Sequence, residues 1–462
     1  MASSTSSVRL KGKLSVKPCD PTWKGSMGLS ELDQIGILTH VTSIYLYHPN
    51  NSHTHFAHTL KTSLSKALVP FYPLAGRLHW IGNNNGRLEL QCNAMGAQFI
   101  EAECESRLDD LIAHDLASSP PYDQLFPQID YTLPLHHLPL LLVQLTSFKC
   151  GSLTISLAIS HAVVDGPGSQ HFISEWARLA RGEPLQIMPF HDRTVLQSRD
   201  PPPTSLPPCL DHSERNPPPL LLGHSDSTQE RTKKTTMATL KITKAQVEAL
   251  RKTANESWAC DPKPMGRRYT RYESITAHIW RSTCKARGHK KEQPTGLGVS
   301  VDLRSRMRPP LPKEYFGNAI LDVVATSLAG DLVSKPLGYG ASKIREVIEK
   351  VTDEYVRLGI ELLKKEEDLT MFQDIHAISS DEKGPFYGNP NLAVTSWLTL
   401  PIHGFDFGWG EEFHMGLGPH GLDGSISIFH SRDGDASVEV VLYLQELHMD
   451  AFKKHFYEDM MM

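Results

Sequence analysis

Residues 160–166 read Ser160-His161-Ala162-Val163-Val164-Asp165-Gly166, placing a histidine and an aspartate four residues apart at a change of secondary structure. Ahead of them Leu153, Ile155, Leu157 and Ile159 alternate with Thr154, Ser156, Ala158 and Ser160, the period of a strand with one apolar face. Behind them Gly166 and Gly168 punctuate the chain before a helical stripe of Phe172, Ile173, Trp176 and Leu179, which Gly182 stops. His161 thus lies at a strand-to-helix junction. There an imidazole can take and return a proton near neutral pH, and Asp165 can fix its surroundings. Alone the pattern is open: a lone histidine at a strand end is more often structural, and both residue types ligate metals. No second close-spaced His or Cys pair accompanies it, so no metal site is expected.

Far downstream stands Asp406-Phe407-Gly408-Trp409-Gly410. Asp-Phe-Gly by itself is similar to the metal-binding segment of protein kinases, but no Gly-rich phosphate loop and no His-Arg-Asp loop precede it. Together, in this order and at this separation, the two stretches resemble the signature motifs of the plant BAHD acyltransferases, which move an acyl group from coenzyme A to an alcohol or amine. Leu68-Val69-Pro70-Phe71-Tyr72-Pro73-Leu74-Ala75-Gly76-Arg77-Leu78 and Tyr315-Phe316-Gly317-Asn318 extend the resemblance over nearly the whole chain. It implies an α/β fold of two chloramphenicol acetyltransferase-like domains, each a mixed β-sheet with flanking helices. An active-site channel would run between them, entered by CoA from one face and by the acceptor from the other.

The composition agrees with a chain of that kind. Its 462 residues are 40% hydrophobic and 21% charged with a formal net charge of -5, enough for two cores and not basic enough to suggest nucleic acid. Met1 to Ser7 are small and polar with no long apolar run after them, so neither a secretory signal nor a membrane span is expected, and a cytoplasmic location is. Seven scattered cysteines read as reduced thiols. Proline crowds residues 201–235, which cannot sustain a helix or an inner strand. This predicts a first domain over 1–200, a linker over 201–235 and a second domain over 236–462. His161 and Asp406 then fall on opposite sides, which places the site where the halves meet.

Val8, Leu10, Leu14 and Val16 predict an opening strand, and Ala57 to Val69 an amphipathic helix. Met237 to Ile242 reads as a strand leading to Thr243-Lys244-Ala245-Gln246, a capping-box pattern. Tyr272 to Arg287 reads as a helix. Ile344, Val347, Ile348, Val351, Tyr355 and Leu358 predict one long amphipathic helix, and Ser425 to Phe429 with Val438 to Leu444 a hairpin through Asp433-Gly434.

The resemblance assigns roles. His161 would be the general base, with no acyl-enzyme and no Gly-x-Ser-x-Gly elbow to suggest one. Asp165 either touches the imidazole or, as the family generally has it, turns away into a salt bridge, here with Arg304 or Arg306. Asp406 would hold the interface, and Thr395 and the indole N–H of Trp397 would receive the oxyanion. His40 lies in the region that borders the acceptor channel in the family. Arg271, from the basic cluster Arg267, Arg268 and Arg271, and Ser274 sit at a helix start suited to the phosphates of CoA. Where shikimate-specific relatives carry an arginine that pairs with the acceptor's carboxylate, an alignment of the segment without gaps places Glu382, beside Asp381, with Lys383 next to it arguing the other way. Val16-Lys17-Pro18, Gly384-Pro385-Phe386-Tyr387-Gly388-Asn389-Pro390-Asn391 and Phe452-Lys453-Lys454-His455-Phe456 resemble spermidine hydroxycinnamoyl transferases. The expectation is N-acylation of spermidine or a related polyamine by a monomer that uses a CoA thioester as co-substrate and holds no permanent cofactor. O-acylation of shikimate, quinate or another alcohol, and a non-catalytic partner protein, are the alternatives.

Overall fold

The computed structural model describes residues 8–36, 38–48, 55–82, 86–113, 122–197, 212, 219–223, 229–230, 232–259, 267–373, 388–419, 421–432 and 434–460. Most of the proline-dense stretch therefore lies outside the described residues, as does Asp433 of the late hairpin. Two six-stranded mixed sheets and one three-stranded sheet carry the fold. The first sheet runs in the order Val8–Val16, Ala97–Cys104, Leu141–Phe148, Leu153–Ser160, His40–Tyr47 and His414–Leu417. The second runs Ile320–Leu328, Pro294–Asp302, Leu392–Ser396, Ser425–His430, Val438–Gln445 and Thr235–Ile242. Gly25–Gly28, Leu88–Cys92 and Arg77–Trp80 form the small sheet.

The strand that delivers His161 is central, and every residue of Leu153–Ser160 is buried. Leu153, Ile155, Leu157 and Ile159 pack with Leu60, Leu64, Phe172 and Trp176 from two helices. The opposite face, expected from its threonine and serines to be open, is covered as well. Ile44 and Leu46, which pair across from Ser156 and Thr154, are roofed by Leu108, Tyr122, Leu125 and Phe126. The helix Gly166–Ala180 starts where Asp165 caps it, accepting from the Gly168 amide at 3.1 Å, and ends at Gly182 with φ +81°.

One strand crosses between the halves. His414–Leu417 comes from the second half of the chain but pairs antiparallel with His40–Tyr47, closing the first sheet's edge. Tyr122 in the first half donates from its hydroxyl to the Leu417 carbonyl at 2.7 Å and anchors it there.

The single long helix expected over Ile344 to Leu358 is two helices, Leu337–Lys350 and Asp353–Lys365. Thr352 caps the second, its hydroxyl accepting from the Tyr355 amide at 3.3 Å. Arg306 closes the first by donating to the Ile348 and Val351 carbonyls, each at 2.9 Å. Both helices bury their stripes in the same core, so the apolar period continues through a break that only the cap marks. The capping pattern at Thr243 is present: its hydroxyl accepts from the Gln246 amide and the Gln246 side chain accepts from the Thr243 amide.

Among the described residues four histidines are held as neutral donors, His40 and the three that follow. His191, His278 and His289 bond from Nε2 to the Pro70 carbonyl, the Phe456 carbonyl and the Asn389 side-chain oxygen. Burial pulls each down to about 4, outweighing the hydrogen bond that works the other way. An unfolded chain takes up these protons near pH 6.5 and the native chain does not. Stability present above about pH 6.5 is therefore lost as pH falls toward 4, at on the order of 1 kcal/mol per pH unit for each histidine. Thermal melts followed by circular dichroism should show a midpoint that declines steadily from pH 6.5 to 4.5. A midpoint flat over that window would refute this account.

Candidate active site

His161 leaves the central strand with both backbone groups held. Its amide donates to the Thr39 carbonyl at 3.0 Å, and its carbonyl accepts from Nδ2 of Asn318 at 2.8 Å. Nδ1 of its ring is buried with no hydrogen-bond partner among the described residues, which leaves Nε2 as the nitrogen open to a reactant.

Asp165 turns to the second half. Its two carboxylate oxygens receive Arg304 Nη1 at 2.8 Å, Arg304 Nη2 at 2.9 Å, the Ala319 amide at 2.9 Å and the Gly168 amide at 3.1 Å. Four donors in this buried place occupy the carboxylate, so Asp165 organises the turn without serving as the imidazole's partner. Arg304 is the partner of the pair; Arg306 serves the helix break described above.

Asp406 shapes its own loop. One carboxylate oxygen accepts from the Gly408 and Gly410 amides at 2.7 and 2.9 Å, an arrangement that needs positive φ at both glycines, +107° and +102°. Its peptide oxygen accepts from Arg181, and the Phe405 carbonyl accepts from the Tyr47 hydroxyl at 2.9 Å. Phe407 sits edge-on to Trp176 at 4.8 Å and stacks with Trp409 at 5.8 Å. The loop is thus moored to the first half. Buried Glu412 holds it from behind through the Gly404 and Phe405 amides; burial pushes that carboxyl up, but His403 and these amides outweigh it and keep it low.

Trp397 ends the strand Leu392–Ser396 with its indole buried against Phe429 and its Nε1 without a partner among the described residues. Thr395 is exposed two residues earlier. The turn from Trp397 to Leu400 meets the motif helix: a Cβ on Gly166 would lie 3.1 Å from Leu400, so the glycine admits this contact. His40 pairs with Ser160 across the sheet and has both ring nitrogens engaged, Nδ1 accepting from Tyr131 at 3.1 Å and Nε2 donating to the Pro139 carbonyl at 2.8 Å. Burial pulls it down to about 4, so it is neutral at pH 7 and offers a ring face, with no nitrogen left for an acceptor.

The expected cofactor contacts separate. Arg271 lines a surface cavity with Lys244, Arg251, Arg268 and Tyr269. Ser274 does not reach it: the side chain is fully buried and its hydroxyl donates to the Thr270 carbonyl one turn back, at 2.9 Å. Asp381 and Glu382 lie outside the described residues.

Three residues escaped the sequence reading. Ser43, Tyr45 and Gln170 bring polar heads into the apolar interface formed with Phe405, Met415 and Phe429. Burial holds the Tyr45 hydroxyl well above its usual range, with Ser43 and Gln170 beside it. The signal was available in the alternation of His40–Tyr47, where Ser43 and Tyr45 share one face.

The Transferase family model matches residues 6–459. The chain belongs to that family. This transferase is 45% identical to a hydroxycinnamoyl-CoA:piscidic acid hydroxycinnamoyltransferase of Actaea racemosa over 98% of its own length and 100% of the relative's. It is 37% identical to a shikimate O-hydroxycinnamoyltransferase of Nicotiana tabacum, over 98% and 99% of the two chains. With a hydroxycinnamoyl-CoA:5-hydroxyanthranilate N-hydroxycinnamoyltransferase of Avena sativa it shares 34%, over 97% and 98%. Its fold matches vinorine synthase with a TM-score of 0.70 at 24% identity, over 96% of each chain. It also matches F. graminearum TRI101, solved with coenzyme A and deoxynivalenol, with a TM-score of 0.74 at 16% identity over 93% and 97%. The two-domain α/β architecture of the transferase is therefore that of the BAHD acyltransferases, which take the acyl group from a CoA thioester.

Proposed function

We propose that the transferase moves a hydroxycinnamoyl group from its CoA thioester to a nitrogen of spermidine or a related polyamine. The full-length relatives named above support the donor. So does the interface itself: it sets the polar heads of Ser43, Tyr45 and Gln170, and the Trp397 Nε1 that has no partner among the described residues, in an apolar wall. Buried polar atoms left unpaired cost roughly 1–3 kcal/mol each, and a phenolic acyl group would set its ring on the apolar wall and its hydroxyl on these atoms. The phosphates of CoA suit the cavity of Lys244, Arg251, Arg268 and Arg271.

The observation that carries the acceptor is the sign of charge on its side. In sequence, Asp381 and Glu382, followed by Lys383, stand in the segment before Thr395-Ser396-Trp397, where shikimate-specific relatives carry an arginine for a carboxylate; two acidic groups against one basic leave the stretch net negative. His40 is neutral, Arg193 is buried against Asp33, and Arg304 is buried against Asp165. A polyammonium chain meets attraction in such surroundings and an anionic acceptor does not.

The chemistry balances on these residues. His161 Nε2 takes a proton from the attacking nitrogen as the C–N bond forms, and the thioester oxygen becomes an oxyanion that the Trp397 indole N–H and the Thr395 hydroxyl can receive. Collapse breaks the C–S bond, the imidazolium returns its proton to sulfur, and an amide and free CoA leave.

O-acylation of a hydroxy acid is the second reading, favoured by the acceptors, piscidic acid and shikimate, that the Actaea racemosa and Nicotiana tabacum relatives are named for. Purified protein with p-coumaroyl-CoA, offered spermidine, shikimate and piscidic acid in parallel, separates the two by thiol release and product mass. The expected result is an amide with spermidine, and a loss of roughly tenfold or more in kcat/KM for spermidine in Glu382→Arg. Ester formation with a hydroxy acid alone would replace the polyamine reading, and no release with any acceptor would favour a non-catalytic role.

A further inference from the structure

We infer that Asn318 is a positioning residue for the base, reaching from the second half of the chain to tie the peptide oxygen of His161 to the buried carboxylate of Asp33. Nδ2 of Asn318 donates to the His161 carbonyl at 2.8 Å and to Asp33 Oδ1 at 3.0 Å, and the Asn318 amide donates to the same oxygen at 2.9 Å. Asp33 is fully buried at the start of the chain's first helix, Glu31–Gln34. Its other oxygen receives the Ser30 amide at 2.9 Å and hydroxyl at 2.7 Å, and pairs with Arg193 at 2.5 Å. Arg193 in turn donates from Nη2 to the Val163 carbonyl at 2.8 Å.

The turn that bears the base is therefore gripped at two carbonyls, His161 and Val163, and both grips lead to Asp33. The ring cannot orient itself, because Nδ1 has no partner among the described residues. Where the imidazole points is left to the backbone beneath it. The Tyr-Phe-Gly-Asn spelling fits this task. A Cβ on Gly317 would lie 2.8 Å from Arg193 Nη1 and 2.7 Å from the Tyr315 hydroxyl, so a side chain there would push on the arginine that holds Asp33.

The inference rests on acyl transfer with His161 as base and is independent of which acceptor is used. Asn318→Ala removes the amide, and Asn318→Leu removes it while keeping the volume, which covers the case in which the smaller residue fails to fold. Both should lower kcat by roughly 10–100-fold, with KM for p-coumaroyl-CoA within about twofold and the thermal midpoint within a few degrees. Purely structural damage would instead lower the midpoint and the folded fraction, leaving kcat per folded molecule unchanged, and that outcome overturns the inference. The imidazole resonance of His161, assigned by its loss in His161→Ala, should shift or broaden in both variants. An unchanged resonance overturns the inference even if acyl transfer itself proves absent, and a shifted one upholds the positioning role.

Discussion

His161→Ala is expected to cut acyl transfer by on the order of 10³-fold or more while leaving the fold and CoA binding in place. The expectation is specific because Nδ1 of the imidazole has no hydrogen-bond partner among the described residues, and the backbone contacts that hold residue 161 run through its amide and carbonyl, which alanine keeps. Thiol release should fall to the level that bound, oriented substrates reach without a base. Calorimetric binding of CoA should be unchanged. A variant that retains more than a tenth of the activity would remove His161 from the mechanism as the base and require another group to take the proton.

Asp165→Ala should fail differently, losing stability and activity together. It leaves the Ala319 and Gly168 amides without their acceptor in a buried place, and leaves the Arg304 guanidinium only the Tyr315 carbonyl at 3.0 Å and the half-exposed Asp302 carboxylate at 3.1 Å. Breaking a buried, hydrogen-bonded ion pair on one side costs roughly 3–5 kcal/mol, because the surviving charge has no water. The urea midpoint should drop accordingly. Asp165→Leu combined with Arg304→Met should recover much of that stability, since two apolar side chains do not strand a charge, while activity stays low because the turn under His161 has lost its tether. If the single variant unfolds at the same urea concentration as the unmodified chain, the pair does not hold the halves together in the way described.

How much of this the residues disclosed depends on whether a signal is local. The central strand, the helix after Gly166 and the cap at Thr243 were legible because periodicity and capping operate within one turn or one strand. The break between the helices Leu337–Lys350 and Asp353–Lys365 was not, because both stripes face one core and the apolar spacing runs on unbroken. The burial of Thr154 and Ser156 was hidden for a related reason: a sheet covered on both sides no longer needs its polar side chains to mark the outside. The salt bridge of Asp165 was legible down to two candidate arginines, whereas the hydrogen bonds of His161 and Asp406 were not. The choice of Arg304 over Arg306 turns on where a helix ends, and the inward turn of Ser274 was hidden because a hydroxyl at a helix start can as easily bond back to its own helix as face outward. Tyr45 and Gln170 come together only when a strand and a helix distant in sequence pack, and no spacing rule foretells that.

The strand His414–Leu417 has a consequence for how the protein is made. Until the ribosome has passed residue 417, the first sheet has every strand but its last, and the hydrogen-bonding edge of His40–Tyr47 stays open in a nascent chain that already holds His161. At roughly 5–20 residues per second, the remaining half takes on the order of tens of seconds to emerge. For that time the growing polypeptide carries an unpaired edge of the kind that neighbouring chains can join. Heterologous production should therefore be limited by aggregation during synthesis rather than by the finished protein's solubility, and slower translation of the second half should worsen it.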